Sequence, residues 1–134
     1  DAVLMDVTPH SLGIRVVDGR FSRVIDRNTR VPCRAKKTFA PAEKGQDFVR
    51  LQVFQGEDEK VKKNKFLGEF ILSGIPKLEG NREPHIAVTF NIDADGIVSV
   101  SAIETTSGAE ASVTIRPSGG LTKDQLDDLV AAHK

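Results

Sequence analysis

Apolar and polar residues alternate with period two along most of this chain. Over residues 48–55, Val49, Leu51 and Val53 share one side, while Phe48, Arg50, Gln52 and Phe54 share the other. That is the pattern of a half-buried strand, because successive side chains point to opposite faces. Residues 85–92 repeat it, with Ile86, Val88, Phe90 and Ile92 on one face. Segments over 11–17, 20–26, 31–39, 66–72, 97–103 and 111–116 read the same way. Turn chemistry separates them: Asp18-Gly19 is a two-residue hairpin signal, and Asp93-Ala94-Asp95-Gly96 and Ser107-Gly108 also reverse the chain. Pro32 lacks an amide proton, which puts the start of its strand at a sheet edge or a strand end. Eight short strands punctuated in this way predict a mostly β chain, an antiparallel β-sandwich of about eight strands.

The segments between strands differ in character. Residues 40–47 form a small loop holding Pro41 and Gly45, and residues 73–84 form a longer one with Gly and Pro. Residues 56–65, G-E-D-E-K-V-K-K-N-K, read as a solvated, charged connection. At the start, the apolar run 2–5 lies between two aspartates. It either seeks a partner surface or packs as a first strand on the domain's own edge. At the end, Ser118-Gly119-Gly120 breaks the pattern and a helix begins. Thr122 caps it with Gln125 three residues on, Leu121 and Leu126 make a hydrophobic staple, and Leu126, Leu129 and Val130 share a face. The expected organisation is therefore a lead-in over 1–9, a β-sandwich over 10–118, and the start of a C-terminal α-helix over 119–134. Asp1 in place of a methionine is read as the mark of a piece cut from a longer chain.

Composition narrows the function. The 134 residues carry 19 Lys+Arg and 19 Asp+Glu, and zero net charge gives no bulk attraction to nucleic acid or to an anionic membrane. The aromatic fraction of 5% is all Phe, which disfavours base-stacking and sugar-stacking platforms. The single cysteine, Cys33, excludes an intrachain disulfide and suits a reducing compartment. No apolar run reaches the length of a membrane span, and the first residues do not form a signal peptide.

Catalytic patterns are absent as well. Asp93 to Gly96 resembles the opening of a calcium loop, but the twelfth position is Glu104 at a strand end, behind V-S-V-S-A-I, so a hairpin turn is the better reading. His10, His85 and His133 lie far apart and outside metal-ligand spacing. The sequence has no G-x-S-x-G, G-x-G-x-x-G or P-loop motif, and Cys33 sits in a strand context typical of inert small hydrophobes. The expectation is a binding domain rather than an enzyme.

Five motifs then stand in order along the chain: D-V-T-P-H-S-L-G-I at 6–14, R-N-T-R-V-P at 27–32, V-F-Q-G-E at 53–57, F-N-I-D-A-D-G-I-V-S-V-S-A at 90–102 and S-G-G-L-T at 118–122. Together they closely resemble the substrate-binding domain of the seventy-kilodalton heat-shock chaperones of the DnaK type, over essentially the whole chain. The resemblance implies a channel for one extended apolar peptide at the upper loops of the sandwich. By matching position, Ile14, Phe39, Val49, Leu51 and Ile86 would line its central pocket, and Val17 and Ala42 would arch over the peptide. Val16, Ala40 and Gln46 are further candidate contacts, with residues 38–45 as part of the rim. Val3, Leu4 and Met5 match the interdomain linker of that family.

The same resemblance implies an ATPase domain before residue 1 that would hold ATP and Mg, leaving this piece without a cofactor. It implies a helical lid, mostly after residue 134, and J-domain co-chaperone and nucleotide exchange factor partners. It also implies a location in bacterial cytosol or an organelle matrix. Two positions depart from the family pattern. Val17 is shorter than the Met often found there, and Pro41 removes a backbone donor from the rim. An apolar terminus and an empty channel in one molecule further suggest self-association, with a terminus in a neighbour's groove. The alternatives are a β-sandwich adhesion or scaffold module with a flat partner surface, and a hydrolase whose triad is scattered in sequence.

Overall fold

A computed structural model describes residues 6–41, 45–80 and 82–116. Eight strands are present: β1 (Leu12–Val16), β2 (Arg20–Ile25), β3 (Cys33–Phe39), β4 (Phe48–Gln55), β5 (Lys65–Ser73), β6 (Ile86–Ile92), β7 (Val98–Glu104) and β8 (Glu110–Ile115). They form two antiparallel four-stranded sheets, in the orders β2-β1-β4-β5 and β3-β6-β7-β8. This is the expected mostly β sandwich. The linker match at Val3, Leu4 and Met5, the arch residue Ala42 and the C-terminal helix lie outside the described residues.

Alternation places the core. Ile86, Val88, Phe90 and Ile92 of β6 and Val98, Val100 and Ala102 of β7 are all buried, and they meet Ile14, Val49, Leu51 and Val53 of the other sheet in one cluster. β6 and β7 pair residue for residue from Ile86↔Glu104 to Ile92↔Val98, so their inward rows lie side by side. β3 is an edge strand that begins at Cys33, just after Pro32, as an unpaired edge allows. From this edge the Lys37 ammonium reaches across to the Ser22 hydroxyl (2.8 Å) and the Arg23 carbonyl (3.3 Å) of β2, which ties the two sheets together. Cys33 beside it is half-buried, and burial pushes its thiol up, away from the reactive thiolate.

Gly13 shows how closely β1 and β2 approach: a Cβ there would lie 2.0 Å from the Ser22 carbonyl oxygen. The β1–β2 turn is the predicted hairpin. Asp18 (φ 65°) and Gly19 (φ 67°) both take the left-handed conformation that a two-residue turn of this hand requires.

Two segments are more structured than their composition suggests. The 56–64 connection does not simply float in solvent. It is tied to β1 through Glu57 and to β2 through the Phe21 amide, which donates to the Glu59 carbonyl at 2.8 Å. To reach β2 from β4 it crosses the outer side of this sheet, because the inner side is filled by core. Val61 is buried within it, and so is Phe54, which meets Phe66 edge to face at 5.5 Å. Phe54 therefore lies on the outer face, as alternation predicts, yet is covered. The Asn64 side chain fastens the connection, accepting from the Asp58 amide (3.0 Å) and donating to the Asp58 carbonyl (2.9 Å).

The lead-in is also held. Thr8 and Thr29 exchange a backbone bond (2.9 Å), the Thr29 amide donates to the Thr8 hydroxyl oxygen (3.0 Å), and that hydroxyl donates to the Asp26 carbonyl (2.8 Å). For residues 6–9, the partner is thus the domain's own β2–β3 loop.

Candidate functional site

Antiparallel topology brings four connections to one end of the sandwich: the β1–β2 turn, the β3–β4 loop, the β5–β6 loop and the β7–β8 turn. Each is anchored by the backbone. The Ile75 amide donates to the Asp47 carbonyl (2.9 Å), and the Thr105 amide donates to the His85 carbonyl (3.0 Å). Glu104, fully buried at the end of β7, receives the Thr106 amide (3.0 Å) and the Ser107 amide (2.7 Å) on its carboxylate. Burial alone would raise this carboxyl; the hydrogen bonds from Thr106 and Ser107 outweigh it and hold it below its ordinary value. Its position, twelfth in the stretch that begins at Asp93, is thus that of a turn anchor. At the other end of the sandwich, the Asp93 carboxylate accepts the Asp95 amide (2.9 Å) and the Ile97 amide (3.0 Å), the chemistry of a hairpin turn.

The described candidate peptide-binding residues fall into three kinds of environment, from mid-strand to the loop end. Ile14, Leu51 and Ile86 are buried in the main cluster. Phe39 pairs with Ile86 across β3 and β6, and both Phe39 and Val16 are half-buried against that cluster. Val17 is 55% exposed at the tip of the β1–β2 hairpin, and Ala40 and Gln46 are exposed in the β3–β4 loop.

Val49 stands between core and surface. It belongs to the buried cluster and also lines a cleft of about 480 Å³ together with Pro41 and Gln46. The remaining wall comes from residues that alternation assigns to the opposite face of β1 and β4: Arg15, Phe48, Arg50 and Gln52. Sequence reading placed Phe48, Arg50 and Gln52 on the face of their strand opposite Val49 and singled out Arg15 for nothing. Their only signal was a lone aromatic among polar residues, since Phe48 is 36% exposed. Pro41 and Gln46 also line a second cleft of about 290 Å³, closed on its far side by Ile75 and Leu78 of the β5–β6 loop.

Polar contacts in the cleft are few. Glu69 Oε2 accepts a long bond from Gln52 Nε2 (3.4 Å) and lies 3.9 Å from Arg50 Nε. On the far side of the molecule, a cleft of about 610 Å³ lies between the lead-in and the ends of β4, β6 and β7. Among the described residues no group of His, Cys, Asp and Glu could hold a metal ion, and no helix is long and apolar enough to cross a membrane. Compared with known protein families, residues 1–134 match the family model described as Hsp70 protein.

Proposed function

The chain belongs to the Hsp70 family, and with it to chaperone-type function in general; from that premise we propose that it is the client-holding part of a DnaK-type chaperone. In this reading, an extended apolar segment of an unfolded polypeptide lies across the loop end of the sandwich. One of its aliphatic side chains sits over Val49. The observation that carries the proposal is the double position of Val49, packed into the core on one side and open to a cleft with Gln46 on the other. The volume of about 480 Å³ is in the range of small-ligand clefts and exceeds what one aliphatic side chain needs.

Recognition of this kind is strand-like. Backbone hydrogen bonds hold the segment and a pocket takes one side chain, whose burial contributes roughly 1.5–3 kcal/mol. Gln46, exposed on the rim, supplies a polar contact to the segment's backbone. Val17, exposed at the β1–β2 turn, closes over it, a role that the resemblance gives to Ala42 as well. No covalent step is involved, and the piece needs no cofactor for binding. In the whole chaperone, ATP and Mg would act in a separate domain and reach this one through Val3–Met5. A J-domain co-chaperone and a nucleotide exchange factor would set the cycle.

Titration of a fluorescein-labelled Leu-rich heptapeptide tests the proposal. A saturable rise in anisotropy is expected. A flat signal would leave a β-sandwich scaffold module as the better account.

A further inference from the structure

The chain as a whole is neutral, yet residues 20–37 hold seven cations against one acid, Asp26. They belong to β2, β3 and the loop between them, and these two strands are the outermost of their sheets. The outward backbone of β2 is partly occupied: the Phe21 amide donates to the Glu59 carbonyl at 2.8 Å, and Arg20 bridges to Lys60. That of β3 is open. Over residues 33–39 it pairs with β6, and among the described residues no other segment bonds to its backbone. Alternate amides and carbonyls of this strand therefore point away from any partner, as a template for a further strand.

The two faces of this edge differ. Cys33 and Ala35 stand opposite the buried Ile92 and Phe90 and are half-buried against the core. Lys37, next in that row, turns its ammonium to the Ser22 hydroxyl and the Arg23 carbonyl of β2. Arg34 and Lys36 stand on the outer face opposite Asn91 and Thr89, and both are exposed. Their rows continue through Ser99 and Ser101 of β7 to Thr114 and Ser112 of β8, without an acid. Among the described residues neither cation has a carboxylate partner.

We propose that the β3 edge binds an extended acidic segment of a partner protein, added as a fifth strand of its sheet. Acidic side chains two residues apart lie on the outer face, against Arg34 and Lys36. The residue between them is aliphatic and covers Ala35 on the inner side. Like charges make the edge a poor partner for a second copy of itself, and opposite charges across a strand pair are favourable. A polyanion with no peptide backbone would meet the cations and leave the open amides unpaired. This surface is separate from the cleft at Val49, and the proposal does not rest on the groove reading above.

Three heptapeptides test this, in which Val alternates with Glu, Ser or Lys. Each is titrated into the isotope-labelled chain with excess Leu-rich heptapeptide present to occupy the groove, and backbone amides are followed by NMR. The Glu peptide should shift the amides of residues 33–39 and slow their hydrogen exchange. At about 20 mM salt it should bind about fivefold more tightly than the Ser peptide, with the Lys peptide weakest, and at about 300 mM salt the difference should shrink. In the double variant Arg34→Gln, Lys36→Gln, the ratio of Glu-peptide to Ser-peptide affinity should fall towards one. Equal binding of all three peptides, or shifts that spare residues 33–39, would overturn the proposal. Inorganic polyphosphate is the remaining probe. If it moves these amides while the Glu peptide fails to slow their exchange, the surface takes polyanions and the added strand is wrong.

Discussion

Glu57 holds Ser11 twice. One carboxylate oxygen accepts the Ser11 amide at 2.9 Å and the other accepts its hydroxyl at 2.8 Å. Ser11 is fully buried, and its hydroxyl oxygen in turn accepts the Arg27 amide at 3.0 Å. A residue of the β4–β5 connection thus fixes the start of β1 and, through it, the end of β2. Removing that acceptor strands a buried amide and hydroxyl, at a cost of about 1–3 kcal/mol. Glu57→Ala should lower the urea midpoint accordingly, while Lys62→Ala, an exposed position nearby, should stay within about 0.5 kcal/mol. An unchanged midpoint for Glu57→Ala would show that the anchor contributes nothing.

Acid should unfold the domain through two carboxylates. Hydrogen bonds from Ser11 hold Glu57 below the ordinary 4.5, and those from Thr106 and Ser107 hold Glu104 below it against the effect of burial. Both groups therefore bind protons more readily in the unfolded chain. Their contribution is complete above the ordinary value and is lost as pH falls through the depressed folded values. Denaturant midpoints followed from about pH 7 to pH 3 should drop on the acid side, and Glu104→Gln should flatten that limb while lowering stability at neutral pH. A variant with an undiminished acid limb would exclude Glu104 as a contributor.

Val49→Phe should close the cleft. The added volume enters a site that is 9% exposed and open on one side, so overpacking is expected to cost no more than about 1–3 kcal/mol. The domain should still unfold cooperatively, with heptapeptide affinity reduced at least about tenfold if one client side chain sits there. Normal binding by a folded Val49→Phe would move the client elsewhere on the surface.

Glycine replacements should separate close approach from backbone conformation. At Gly13 a methyl group would meet the Ser22 carbonyl oxygen at 2.0 Å, so Gly13→Ala must push β1 from β2 and should cost several kcal/mol, within the range of severe overpacking. Gly96 takes φ 82° with open space around its Cα, so Gly96→Ala should cost only about 1–2 kcal/mol for the left-handed conformation. Equal losses at the two positions would contradict this ranking.

Periodicity was enough to find every strand, because each has one face in the core and one outside. Val49, Leu51 and Val53, or Ile86 to Ile92, announce their own faces without knowledge of a partner strand. Long-range hydrogen bonding was not legible in that way. Nothing in G-E-D-E-K-V-K-K-N-K says that Glu57 will meet Ser11, 46 residues earlier, or that Val61 will be buried. The motifs D-V-T-P and R-N-T-R-V-P were recognisable as a resemblance, yet their physical reason lies in Thr8 and Thr29, 21 residues apart, satisfying one another's backbone. For the candidate site, alternation located Val49 but put Phe48, Arg50 and Gln52 on the opposite face. The cleft is lined by consecutive residues of β4, Phe48, Val49 and Arg50, and a period-two pattern cannot express that.

Pro41 and Gln46 stand in the wall of both clefts at the loop end. A partition shared by two rooms cannot be moved for one of them alone. Any lineage that replaces either residue changes the two compartments in a single step, so their preferences are inherited as one linked character. Divergence of one compartment by itself must instead proceed through residues that only it owns, such as Arg50 in the first or Leu78 in the second.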